Sequence, residues 1–126
     1  YVVFAHYTGR GSTLGKDNSW TRLVKFDDDW HQVESWIFPK ELIEKFGTRS
    51  NSGGFITTDG LIYCTGHDEP ELYVLELPTM GYTLKWIDTI PANIEGQGVA
   101  LDKYADGKVI YGTIKKQNVV TVSALK

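Results

Sequence analysis

Hydrophobic and polar positions along this chain alternate in short runs, and β-branched and aromatic residues gather between clusters of turn formers, which is the pattern of half-buried strands. The strands expected from it are Tyr1–Tyr7, Thr21–Phe26, His31–Phe38, Gly54–Thr58, Leu61–Thr65, Glu71–Leu77, Thr83–Ile90, Gly98–Asp102, Val109–Ile114 and Val119–Leu125. Asp59-Gly60 and Asp106-Gly107 are expected hairpin turns, because both residue types tolerate positive φ. Helical spacing shows in one place. Pro39 precedes apolar positions 42, 43 and 46, which predicts a short helix over 39–46, serving as packing in preference to a lid.

Displacing the chain on itself by 48 positions superposes Ile62-Tyr63-Cys64-Thr65 on Ile110-Tyr111-Gly112-Thr113, and the match continues ungapped until Leu77 meets Leu125. Leu72 falls on Val120 and Val74 on Val122, so the alternation recurs along with the identities. The two Asp-Gly pairs coincide at a displacement of 47, and Gly54-Phe55-Ile56 resembles Gly98-Val99-Ala100 at 44, with loops absorbing the differences. A period of this size marks repeated supersecondary units. Gly54–Ile90 then forms one four-strand unit, Gly98–Leu125 the first three strands of the next, and the opening region the second to fourth strands of a preceding one. Four-stranded antiparallel units that cannot cover both faces alone are the blades of a propeller.

The expected fold is therefore all-β, an antiparallel β-propeller segment of somewhat under three four-stranded blades with one short inserted helix. Its expected divisions are a blade remnant over 1–38, a helical insert over 39–47, a full blade over 53–92 and a partial blade over 96–126. Ring closure calls for a further segment of a parent chain or for a second copy. Tyr1–Tyr7 reads as mid-strand, which agrees with a parent segment upstream.

Ser52-Gly53-Gly54, Asp59-Gly60-Leu61-Ile62-Tyr63, the run Glu71 to Pro78, and Gly96-Gln97-Gly98-Val99-Ala100-Leu101-Asp102 together resemble blades of the NHL, lactonase and related five- to seven-bladed propellers. The likeness covers about residues 52 to 126 and implies architecture without naming an activity. A propeller of this kind favours a secreted or periplasmic location.

Composition agrees with a packed domain: of 126 residues, 41% are hydrophobic and 23% charged. The net charge of -3 and the lack of a Lys/Arg cluster argue against nucleic acid as a partner. No apolar run approaches the roughly 18 residues that cross a bilayer, which argues for a soluble protein and against a membrane partner. Cys64, the single cysteine, lies inside an apolar strand and reads as a buried small side chain without chemistry.

In a propeller, the loops between strands two and three and the links from strand four to the next strand one emerge at the same end, where ligands meet the central channel. That end is expected to gather residues 8–18, 67–70 and 115–118 from the loops, and 47–53 and 93–97 from the links. His67-Asp68-Glu69 is its densest polar cluster, offering an imidazole and two carboxylates suited to a metal ion, to proton transfer or to sugar hydroxyls. Asn51 and Gln97 stand where two successive links meet strand one, and neutral amides suit hydroxyl-rich ligands or loop capping. Arg10 sits in the run Gly9 to Lys16, which lacks the spacing and following helix of a phosphate loop, yet its guanidinium is able to clamp a carboxylate.

The functional expectation is a propeller binding module for a carbohydrate or other polar small molecule, using His67, Asp68, Asn51, Gln97 and Arg10. Trp20, Trp30, Trp36 and Trp86 are available for sugar stacking where exposed, with packing expected for at least three of them. One alternative is a metal-assisted hydrolase or lactonase-like enzyme in which His6, His67 and Asp68 hold a divalent metal, with Glu69 a further candidate. The other is a protein-interaction scaffold. Asp27-Asp28-Asp29 lacks the glycine and terminal glutamate of an EF-hand loop and reads as a solvated turn.

Overall fold

A computed structural model describes residues 1–5, 7 and 15–125. Among these residues, strands form three sheets, every strand antiparallel to its sheet neighbours and each sheet running in chain order. The first sheet holds β1 (Val2–Ala5), β2 (Arg22–Phe26) and β3 (Gln32–Ile37). The second holds β4 (Gly53–Ile56), β5 (Ile62–Thr65), β6 (Glu71–Glu76) and β7 (Lys85–Pro91), and the third β8 (Val99–Leu101), β9 (Val109–Ile114) and β10 (Val119–Ala124). The chain is thus mostly β, as its alternation predicts. No described helix is long and apolar enough to cross a membrane.

The second sheet lies between the other two, and its side chains explain how. Ile62, Cys64, Tyr73 and Leu75 share one core with Leu23, Trp36 and Phe38. The alternate residues Tyr63, Leu72 and Val74 share another with Ile110 and, at its margin, Val99 and Leu101. With both faces covered, β5 and the middle of β6 are buried at every position, which is why they read as continuous apolar runs instead of alternating ones. The Cys64 side chain is fully buried in the first core and burial pushes its thiol far up from the ordinary range, so it stays protonated.

Pairing register is the same in two places along the chain. Tyr63 stands opposite Val74 and Thr65 opposite Leu72; 48 positions on, Tyr111 stands opposite Val122 and Thr113 opposite Val120. The first strands follow a different offset from the expected one. Gly54 pairs with Cys64 and Val99 with Gly112, so Gly54 corresponds to Val99 at 45, which sets Phe55 beside Tyr63 with rings stacked 5.0 Å apart. The strand expected at Thr83–Ile90 begins at Lys85 instead, because the backbone around Thr83 is taken by the neighbouring sheet: Ile37 donates to Tyr82 and accepts from Leu84.

The two Asp-Gly pairs make different turns. Asp106 and Gly107 both take positive φ, 50° and 67°, with the Lys108 amide bonded to the Ala105 carbonyl at 3.0 Å, a two-residue turn of the primed kind. At the other pair Gly60 alone is left-handed, at φ 87°, in the loop between β4 and β5, where the Thr57 amide donates to the Leu61 carbonyl at 2.9 Å. The expected helix is α1 (Lys40–Phe46), entered at Pro39 with φ -61° and ended by Gly47 with φ 70°. Leu42 and Phe46 are buried in the first core, so α1 packs against the first two sheets.

Candidate functional site

Four connecting segments meet at one end of the stacked sheets, and hydrogen bonds fix them there. The Asn18 side-chain amide, at the 3₁₀ turn Asn18–Trp20, donates to the Gly47 and Arg49 carbonyls at 2.6 and 2.9 Å, tying down the segment after α1. Buried Thr65 donates through its hydroxyl to the Gln97 carbonyl at 2.8 Å. Ala92 donates to Pro70, and Glu95 donates to Thr113, which couples the link after β7 to both neighbouring sheets. The loop ends at positions 47–53, 67–70, 93–97 and 115–118 therefore converge. They do so through backbone contacts and buried hydroxyls more than through exposed side chains.

His67 is held at both ring nitrogens. Nε2 lies 3.0 Å from Arg49 Nη1 and 3.5 Å from Gln97 Nε2; Nδ1 lies 2.6 Å from Asp68 Oδ1. A guanidinium only donates, so Nε2 accepts, and Nδ1 carries the proton that is donated to Asp68. Across from this group, Glu95 accepts the Lys116 amide at 2.9 Å and pairs with the Lys116 ammonium at 3.2 Å. His67, Asp68, Glu95, Gln97, Lys115 and Lys116 line one cleft of about 430 Å³ at the seam between the second and third sheets. Every lining residue is polar. Together they offer two carboxylates, two ammonium groups, an amide and an imidazole.

Of the residues expected at this end, His67, Asp68 and Gln97 are brought together. Asn51 is buried, 2% exposed, and does not line the cleft; among the described residues its Nδ2 has no hydrogen-bond partner. His6 and Arg10, with the rest of positions 8–14, lie outside the described residues. Among the described residues no group of three or more His, Cys, Asp or Glu side chains is arranged to hold a metal ion. A metal at His67 Nε2 would have to displace Arg49 from that lone pair. Asp27 caps its own turn, accepting from the Asp29 and His31 amides, and is solvent-exposed as expected.

Arg49 and Lys116 carry much of the site and had no sequence signal of their own. Their loops were placed at this end, but an arginine after a helix and a lysine in a turn each look like solvated charge until the partner across the seam is known. The tryptophans depart from expectation as well. Trp36 is buried and Trp86 partly buried, whereas two remain exposed: Trp30 at 60%, stacked on Tyr1, and Trp20 at 44%, with the Lys16 ammonium 4.9 Å over its ring. Trp30 takes φ 62° in the turn between β2 and β3, and its ring also lies 5.8 Å from that of Phe26.

The Glu95 clamp makes a pH prediction. The Lys116 backbone amide, and after it the Lys116 side chain, holds the Glu95 carboxyl below its ordinary value. A carboxyl depressed on folding adds stability that is present above the unfolded value, about 4.3, and lost as pH falls through the lower folded one. Glu95→Gln is accordingly expected to flatten the acid limb of Tm against pH below about pH 4.3 while leaving the neutral limb unchanged in shape; an identical acid limb in both proteins counts against the clamp.

No protein-family model, curated protein or solved structure matches the chain, so its functional assignment rests on the geometry of this cleft.

Proposed function

We propose that the chain is a run of β-propeller blades and that the cleft at the seam of its second and third sheets binds a carbohydrate or another polar small molecule. The blade assignment is supported by the identical register of Tyr63 on Val74 and Tyr111 on Val122, and by the sequential stacking of the three meander sheets. In this assignment the blade remnant is 1–38, the helical insert 39–47, the full blade 53–92 and the partial blade 96–126.

The observation that carries the ligand class is the lining. About 430 Å³ suits one or two small rings, within the range of small-molecule sites, but those sites are mostly apolar and this one has no apolar lining residue. Hydroxyl groups both donate and accept. They match a wall that mixes carboxylates, amide, imidazole and ammonium, where an apolar ligand would desolvate these groups without returning a hydrogen bond. His67 contributes fixed geometry: with both ring nitrogens engaged, it holds Asp68 and Arg49 in place, so the cleft is formed before the ligand arrives.

Binding to an array of neutral and acidic glycans, followed by calorimetry on any hit, tests this reading. His67→Ala and Gln97→Ala are each expected to weaken binding about tenfold or more, since each removes a hydrogen-bonding group worth about 1–2 kcal/mol from the wall. A glycan that binds both variants as tightly as the parent is bound elsewhere, and the cleft then loses its assignment.

A further inference from the structure

We propose that two copies of this chain associate head to tail, the outer face of the third sheet in one copy covering the outer face of the first sheet in its partner. The occupant of each open face is identified by how the same kind of face is covered inside the chain. On the second sheet, the side turned toward the third carries Tyr63, Leu72 and Val74, which are 9%, 0% and 4% exposed. The outward side of the third sheet carries Tyr111, Val120 and Val122 in the same register, and these are 40%, 68% and 64% exposed. One set lies under a neighbouring sheet and the matching set faces water. An apolar patch of this kind on a sheet face marks an interaction surface.

The other end of the stack shows the complementary face. Ile62 and Cys64, on the side of the second sheet turned toward the first, are covered by that sheet. The first sheet's own outward side presents Val3 and Ile37, 38% and 39% exposed, beside Val24, which is 7% exposed. Within the chain, then, each sheet packs its forward side on the backward side of the next. In the blade reading proposed above, and among the described residues, the two faces left over are one of each kind, and a second copy supplies the missing partner for either. Such a contact is heterologous, so it leaves a free face at each end and continues until a ring closes. An open pocket of mixed polar and apolar lining, with Gln97, Thr113, Ile114, Lys115, Val119 and Val120 in its wall, borders the outward face, and an incoming sheet would supply its opposite wall.

Sedimentation equilibrium on the full chain across a dilution series tests the proposal. At about 100 µM the average mass is expected to be at least twice the 14.2 kDa of one chain, falling toward it on dilution. Val122→Lys, on the third sheet, and Val3→Lys, on the first, are each expected to abolish association, and mixing the two restores a species of two chains and no larger. That restoration follows because each variant keeps the face that the other has lost. Val120→Lys and Ile37→Lys replace either variant should it fail to fold by circular dichroism. A parent chain that is monomeric throughout the series overturns the proposal. So does association that survives Val3→Lys, which signals a symmetric contact between third sheets, and so does a mixture that stays monomeric.

Discussion

Tyr73→Ala is expected to lower the unfolding free energy by about 3–5 kcal/mol, a large part of the roughly 5–15 kcal/mol that holds a domain of this size together. Tyr73 is 1% exposed and joins three elements at once. Its ring meets Phe46 of α1 edge-on at 5.5 Å and Trp86 of β7 edge-on at 6.0 Å, and its hydroxyl donates to Glu71 at 3.0 Å. Glu71 in turn pairs with Lys45 of the helix at 3.1 Å. Truncation leaves a cavity between helix and sheet and removes two aromatic contacts. Tyr73→Phe keeps the ring and loses only the hydroxyl's bond to a charged group, a cost of about 1–2 kcal/mol. Urea unfolding followed by tryptophan fluorescence separates the two. A Tyr73→Ala loss no larger than that of Tyr73→Phe would show that α1 is not anchored through this ring.

The strands were legible because each buries one or both faces of a short apolar run, and that requirement acts on the sequence directly. The site was legible only as an address. Its loops follow from strand order, so His67, Asp68 and Gln97 could be placed at one end without knowing what they touch, but their partners could not. Arg49 reaches His67 across 18 positions and Lys116 reaches Glu95 across 21, contacts that depend on how sheets sit against each other and leave no local pattern. Asn51 illustrates the converse error. An amide at the mouth of a strand looks available, yet this one is buried, and only its depth in the packed fold decides that. The loop at 115–117 departs from its counterpart at 67–69 for a backbone reason. It forms a 3₁₀ turn closed by Asn118 at φ 54°, so its lysines need not occupy the positions of His67 and Asp68.

Gly96→Ala is expected to abolish ligand binding and to destabilise the fold by about 2–4 kcal/mol, because it forces apart the seam on which the site is built. Gly96 is left-handed at φ 73°, and a Cβ there would lie 2.8 Å from the Glu69 carbonyl oxygen, 2.9 Å from the Asp68 nitrogen and 2.9 Å from the His67 carbonyl carbon. All three are backbone atoms, so no rotamer relieves the clash and the 67–69 segment itself has to move. That displacement would carry His67 off Arg49 and Gln97. Gly81 supplies the comparison: it has a similar φ of 76° with open space around it, so Gly81→Ala bears only the left-handed backbone cost of about 1–2 kcal/mol and leaves the cleft intact. Unfolding free energies and ligand affinities of the two variants, measured side by side, isolate the close approach from the backbone angle. Equal losses in both would mean that the link after β7 does not press on the His67 segment. A larger loss at Gly96 alone, accompanied by loss of binding, makes the approach of these two backbones the element that shapes the cleft.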